Sequence, residues 1–163
     1  MDLNLKDRVA IITGPAKGMG AAVTRQFAVE GCKLVLIGRD TSAIEPVAEE
    51  VRAGGAEAII APCDITDADA CEQAAETARK SFGGRIDILV NIAGGSGPIG
   101  KTGAETTAEE FDEIVSLNVN GCFHTIRAVA PTMMDQKFGK IVNVGGTFGM
   151  RGRAGRLAYS SSK

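Results

Sequence analysis

Arg8-Val-Ala-Ile-Ile-Thr13, followed at once by Gly14-Pro-Ala-Lys-Gly-Met-Gly20, decides the fold. The first six residues form a short apolar run, the pattern of a parallel strand buried on both faces. Gly14, Gly18 and Gly20 then separate it from a stretch, Gly18 to Glu30, in which Met19, Val23, Phe27 and Ala28 recur at helical spacing. Gly31 follows as a helix C-cap. A glycine-rich turn between strand and helix leaves free N–H groups and a partial positive charge at the helix start, so it can cradle a diphosphate. The glycines alone are a weak signal; their place between one strand and one helix makes it a strong one.

The same rhythm continues outward from this turn. Lys33-Leu-Val-Leu-Ile37 reads as a second strand. Ser42-Ala-Ile-Glu45 reads as a capping box that opens a helix to about Arg52. Ala56–Ala61 is a third strand, Asp67 to Phe82 a third helix, and Arg85–Val90 a fourth strand. Thr107-Ala-Glu-Glu110 is a second capping box. It opens a long helical stretch with Phe111, Ile114, Val115, Val119, Phe123, Ile126 and Val129 facing inward. Lys140–Val144 is a fifth strand, and Tyr159 to Lys163 starts a last helix. Strands alternating with helices predict an α/β fold, a Rossmann-like doubly wound parallel sheet of five strands, as a single dinucleotide-binding domain over residues 1–163.

Composition agrees. Of 163 residues, 44% are hydrophobic and 23% charged, as in ordinary globular proteins, and 21 glycines suit tight strand-to-helix turns. A net charge of −2 offers no basic surface for nucleic acid. No apolar run reaches the ~20 residues that span a bilayer, and the N-terminal residues lack a signal-peptide core. Cys32, Cys63, Cys71 and Cys122 contain no C-x-x-C pair, and His124 is the one histidine. The reading is therefore no metal site, no disulfide framework and four reduced thiols in a cytoplasmic protein.

Two further residues carry chemistry. Tyr159 and Lys163 are four apart, hence one helical turn apart and neighbours. A phenol held beside an ammonium is a proton donor to, or acceptor from, a reacting oxygen. T-G-x-x-x-G-x-G with Y-x-x-x-K resembles the signature of the short-chain dehydrogenase/reductase family, and the resemblance covers essentially the whole chain. Asn91-Ile-Ala-Gly94 is similar to that family's N-N-A-G, with Ile92 in place of the second Asn. Asp64, in Cys63-Asp-Ile-Thr-Asp67, matches the adenine-side aspartate, and Asn118 matches the asparagine of the catalytic tetrad.

The resemblance implies an oxidoreductase that moves a hydride between a nicotinamide cofactor and a carbonyl or secondary alcohol. Tyr159 is then the general acid/base, Lys163 holds the nicotinamide ribose and Asn118 positions a water. The cofactor contacts implied are Thr13, Gly14, Lys17, Gly18, Met19 and Gly20 at the turn, Arg39, Asp64 and Ile65 toward the adenine, and Asn91, Ala93, Gly94, Tyr159 and Lys163 toward the nicotinamide. The second strand ends at Gly38, where an acidic residue would repel a 2′-phosphate, and Arg39 and Lys17 supply cations, so NADP is favoured over NAD. Asp40 argues the other way, unless it pairs with Arg39. The family also implies a homodimer or homotetramer, built partly through the long helix. Members continue past Y-x-x-x-K with further strands and a substrate lid, so the domain is read as incomplete at its C-terminus.

One position departs from the family pattern. Counting back from Tyr159 puts Gly146 where the family carries a serine that bonds the substrate oxygen. Thr147 can supply the hydroxyl only over an irregular backbone, which Gly145 and Gly146 permit. Alternatively the substrate brings its own anchoring group, or the protein binds the cofactor without catalysis.

Gly95-Ser-Gly-Pro-Ile-Gly-Lys-Thr102 also matches the phosphate-loop pattern letter for letter. That pattern needs a helix starting at the Lys-Thr, and here Gly103 comes next. The segment is read instead as the loop beside the substrate, with Ser96 and Ile99 in the pocket. His124 is read as a helix-surface or interface residue. Arg151, Arg153 and Arg156 are either a solvated loop, a subunit contact or a site for an acidic substrate.

Overall fold

Alternate residues of β1 (Val9–Thr13) point to opposite sides of a sheet, and both sides are apolar. Val9 and Ile11 enter one hydrophobic layer, Ala10 and Ile12 the other, and none is more than 2% exposed. Such a strand is stable only with helices on both faces. The computed structural model, which describes residues 3–163, has this arrangement. β1, β2 (Lys33–Gly38), β3 (Ala58–Pro62), β4 (Ile88–Asn91) and β5 (Lys140–Asn143) form one parallel sheet in the order β3-β2-β1-β4-β5. Ile11 stands opposite Val35 on one side and Leu89 on the other. The chain order reverses beside β1, and a crevice opens beyond the carboxyl ends of β1 and β4.

α1 (Gly18–Val29) and α2 (Thr41–Ala53) cover one face, the latter through Ile44, Ala48 and Val51. α3 (Ala68–Ser81) and α5 (Gly121–Asp135) cover the other, through Ala74, Ala75 and Ala78 on α3 and Ala128, Val129 and Met133 on α5. No helix among the described residues is long and apolar enough to cross a membrane. Short helices α6 (Thr147–Met150) and α7 (Leu157–Ser162) close the chain.

Four local readings need correction. The N-cap of α2 is Asp40, whose carboxylate accepts from the Ala43 N–H at 3.1 Å and the Ser42 hydroxyl at 2.5 Å, so the box at Ser42 and Glu45 does not form. An ionised acceptor is the stronger cap. The box at Thr107 and Glu110 does form and opens α4 (Ala108–Val115). The long helix beyond it is interrupted: a π-helical turn over Ser116–Asn120 shifts the phase of the residues after it. Val119 and Phe123, expected inward, are therefore 44% and 59% exposed.

The remaining two corrections concern strands. β3 starts at Ala58, not Ala56. β4 starts at Ile88, not Arg85, and is preceded by Asp87, whose N–H donates to the Val9 carbonyl and whose carbonyl accepts from the Lys140 N–H, each at 2.9 Å. The Asp87 side chain is fully buried and accepts from the Val9 N–H at 3.0 Å, Arg8 Nη1 at 3.1 Å and Arg85 Nη2 at 2.5 Å. β5, exposed along its length, is an edge strand.

Burial opposes the Asp87 charge, but the bonds from Arg85, Val9 and Arg8 outweigh it and hold the carboxyl below the usual carboxylate range. An acid with a depressed folded value stabilises fully above its unfolded value of about 3.9, and that contribution is lost as pH falls through the folded value. Asp87→Asn is expected to cost about 2 kcal/mol near neutrality and to flatten the loss of stability below about pH 4. Urea unfolding of both proteins across a pH series checks this.

Candidate active site

The site begins at the end of β1. Thr13 is buried, and its Oγ1 accepts from the backbone N–H of Ile92 at 2.9 Å and of Ala93 at 2.8 Å, tying the β1 turn to the β4 turn. Gly14, at φ +66°, donates its N–H to the Ile37 carbonyl at 3.1 Å. A Cβ on Gly20 would lie 2.0 Å from the Gly14 carbonyl oxygen, so the turn closes only around glycine. Gly18, at φ +54°, faces open space: a Cβ there meets nothing within 4 Å. Lys17 precedes α1 with no side-chain cap on the helix start.

A cavity of about 480 Å³ runs from this turn across the sheet's carboxyl edge. Gly14, Lys17, Met19, Gly20, Arg39, Asp64, Ile65, Ala93 and Gly94, all named above as cofactor contacts, line it. Thr13, Gly18, Asn91, Tyr159 and Lys163, also named for the cofactor, do not line it. The Asn91 amide donates to Asn143 Oδ1 at 3.0 Å and accepts from the Thr125 hydroxyl at 2.8 Å, joining β4 to β5 and α5. The sequence reading missed the apolar walls: Ala43 and Ile44 at the start of α2, Ile92, and Leu117. Ile92 stands where the resemblance expects Asn, and that apolar departure was the available signal.

Charge on the far wall is arranged simply. The Thr66 backbone N–H holds the Asp64 carboxyl below its usual range, its partial burial opposing, and the Thr66 hydroxyl and Arg39 assist. Arg39 Nη1 is 4.0 Å from Asp64 and not paired with Asp40, which caps α2. Gly38 ends β2 with no carboxylate.

At the other end, Asn118 sits buried in the π-helical turn. Its amide grips both backbone groups of Gly95, accepting from the N–H at 2.8 Å and donating to the carbonyl at 2.9 Å, and it donates to the Ser162 hydroxyl on α7 at 2.8 Å. Lys163 Nζ donates to the Val144 carbonyl at 3.3 Å, and burial pushes its pKa down. A Cβ on Gly94 would lie 2.7 Å from Asn118 Oδ1 and 2.9 Å from Lys163 Nζ, so the cavity's end, Asn118 and Lys163 converge. Tyr159 faces Gly146: a Cβ there would lie 2.6 Å from its Oη. Thr147 is exposed at the first position of α6, and no hydrogen bond joins its hydroxyl to Tyr159 among the described residues.

No helix starts at Lys101-Thr102; Lys101 pairs with Glu110, and the Thr102 N–H donates to Glu105 at 2.8 Å. Ser96 and Ile99 lie on the exposed surface of that loop. His124 is not a free surface residue: it is half-buried, with Nδ1 3.1 Å from the Ile65 carbonyl.

Comparison with known proteins agrees with this geometry. Residues 8–163 match the family model described as short chain dehydrogenase. An uncharacterized oxidoreductase of Mycobacterium bovis is 36% identical, over 98% of this chain and 63% of its own length. One of Staphylococcus saprophyticus is 32% identical, over 99% and 68%. Two crystal structures superpose closely. A metagenomic short-chain oxidoreductase in complex with NADP gives a TM-score of 0.91 at 34% identity, over 98% of this chain and 71% of that one. NAD+-bound xylitol dehydrogenase gives 0.93 at 31%, over 98% and 60%. The chain spans about two thirds of the length of the curated relatives it matches.

The two glycines that open α1 should respond differently to a methyl group. Gly20→Ala drives a Cβ into a backbone oxygen and is expected to unfold the turn, at a cost above about 3 kcal/mol. Gly18→Ala carries only the left-handed backbone penalty of about 1–2 kcal/mol. Chemical denaturation of both variants separates them.

Proposed function

The chain belongs to the short-chain dehydrogenase family, and from that premise we propose that it transfers a hydride between NADP(H) and a carbonyl or secondary alcohol. The observation that carries this reading is the convergence of Asn118 Oδ1 and Lys163 Nζ on Gly94, which lines the same cavity as Gly14, Lys17 and Gly20 of the glycine-rich turn. A dinucleotide fits such a cavity: glycine where a Cβ would intrude, free N–H groups at the start of α1, and apolar walls at Ile92 and Leu117.

When bound, NADP(H) supplies or accepts a hydride at the substrate carbon. Tyr159 gives the proton to the carbonyl oxygen in reduction and takes it from the hydroxyl in oxidation. Lys163 holds the nicotinamide ribose beside it. Asn118 is a positioning residue, since its amide is engaged by Gly95 and Ser162. Lys17 and Arg39, with Gly38 at the end of β2, favour the 2′-phosphate, and Asp40 is held as the cap of α2.

Gly146 favours a second reading, a cofactor-binding protein without turnover, because the family's serine hydroxyl is absent beside Tyr159. A panel of carbonyl compounds with NADPH decides: consumption of NADPH supports the enzyme, tight binding without consumption the alternative. The family further supports a cytoplasmic homodimer or homotetramer, and the exposed Val119 and Phe123 give a second copy an apolar face to cover. Sedimentation of Phe123→Ser against the native protein tests that face.

Tyr159→Phe is expected to lower kcat by roughly 10²–10⁴ with little change in NADPH affinity. Arg39→Gln should reduce the preference for NADPH over NADH by about tenfold, the worth of one charge-assisted phosphate contact. Equal affinity of the native protein for both cofactors would sink the NADP assignment.

A further inference from the structure

The sequence has ten arginines, and six of them, Arg8, Arg25, Arg39, Arg52, Arg79 and Arg85, stand within 4.0 Å of a carboxylate. The remaining four have no such partner among the described residues. Three of these four, Arg151, Arg153 and Arg156, fall in the eight residues before Tyr159. Among the described residues, a chain that pairs most of its arginines thus leaves three unpaired guanidinium groups in the segment leading to Tyr159.

Their placement is specific. Arg156 Cζ lies 6.0 Å from the centre of the Tyr159 ring. Arg153 Cζ lies 4.9 Å from the centre of the Phe148 ring, which meets Tyr159 edge-on at 6.3 Å. A guanidinium resting on a ring face keeps its N–H edge free, and that edge matches an oxyanion in two-point geometry. The segment is also held in place. The Gly155 carbonyl accepts from the Gly100 N–H at 3.0 Å, and a Cβ on Gly155 would lie 2.9 Å from Gly100 Cα. The arginines are therefore anchored to the loop beside the substrate rather than to a free tail.

Gly146 points the same way. With no side chain there, nothing at that position fixes the reacting oxygen against Tyr159. A substrate held by a second, charged group needs no such donor, because the anchor at one end sets the position of the carbonyl at the other.

We propose that the substrate carries an oxyanion, a carboxylate or a phosphate, bound by Arg153 and Arg156 while its carbonyl or alcohol carbon stands at Tyr159. This rests on the oxidoreductase reading above. In the reductive direction, the oxo compound gains a hydride at carbon from NADPH and a proton at oxygen from Tyr159. It leaves as the hydroxy compound, with NADP+ as the oxidised partner.

The test measures NADPH oxidation by the protein with matched pairs: 2-oxobutanoate, 3-oxobutanoate and 4-oxopentanoate against their methyl esters, and dihydroxyacetone phosphate against dihydroxyacetone. The expected result is a charged member preferred at least about tenfold in kcat/KM, through KM, with a preference that shrinks as salt is raised. Arg156→Gln and Arg153→Gln should each cut that preference about tenfold. Arg127→Gln, which removes the unpaired arginine on α5, should leave it unchanged. Equal efficiency for every pair, or a preference that both substitutions leave intact, overturns this inference and leaves the oxidoreductase reading standing. No NADPH oxidation with any compound, charged or neutral, removes that reading and the inference with it.

Discussion

One buried hydroxyl organises the site. Thr13 Oγ1 accepts two consecutive backbone N–H groups, those of Ile92 and Ala93, where β1 and β4 part. Those N–H groups have left the sheet ladder and would otherwise stand unpaired at the floor of a crevice. The hydroxyl satisfies both and fixes the distance between the two turns. The glycine-rich turn takes its shape on one side of this bond, and Gly94 meets Lys163 on the other. The cofactor cavity is the space this bond holds open between them.

The layers were legible because they follow from patterning, whereas the order β3-β2-β1-β4-β5 came from the structure. An apolar run such as Val9–Ile12, closed by a glycine turn, fits a strand of a parallel sheet covered on both faces. The glycine turn was legible for a steric reason, since the 2.0 Å approach at Gly20 admits no other residue. The π-helical turn was not legible. It adds a residue to a helix without changing which residues are apolar, so Val119 and Phe123 look inward in sequence and face outward in space. The α2 cap shows a second kind of miss. Two overlapping motifs compete for one helix start, and charge on Asp40 decides what spacing cannot.

The site itself was legible in part. Residues whose role rests on backbone geometry or on the titratable pair, Gly14, Gly20, Tyr159 and Lys163, stand out by type and spacing. Residues that position through long-range bonds do not. Asn91 reads as a cofactor contact, and its side chain is also bonded to Asn143 and Thr125. His124 reads as a helix-surface or interface residue, and its ring meets the Ile65 carbonyl 59 positions away in sequence. Neither partner is deducible without the fold, because each contact is made by tertiary packing and not by local spacing.

The grip of Asn118 on Gly95 resembles one rung of a sheet ladder made by a side chain. An amide that accepts from an N–H and donates to the carbonyl of the same residue leaves that residue no freedom to turn, and its third bond reaches Ser162 on α7. The start of the loop after β4 and the helix bearing Tyr159 are therefore tied together. Beyond the clamp, Gly97 and Gly100 hold positive φ angles, and Gly100 is bonded in turn to Gly155. The loop is thus fastened at Gly95 and again at Gly100, so the segment that carries Arg151, Arg153 and Arg156 shares its frame with the helix bearing Tyr159.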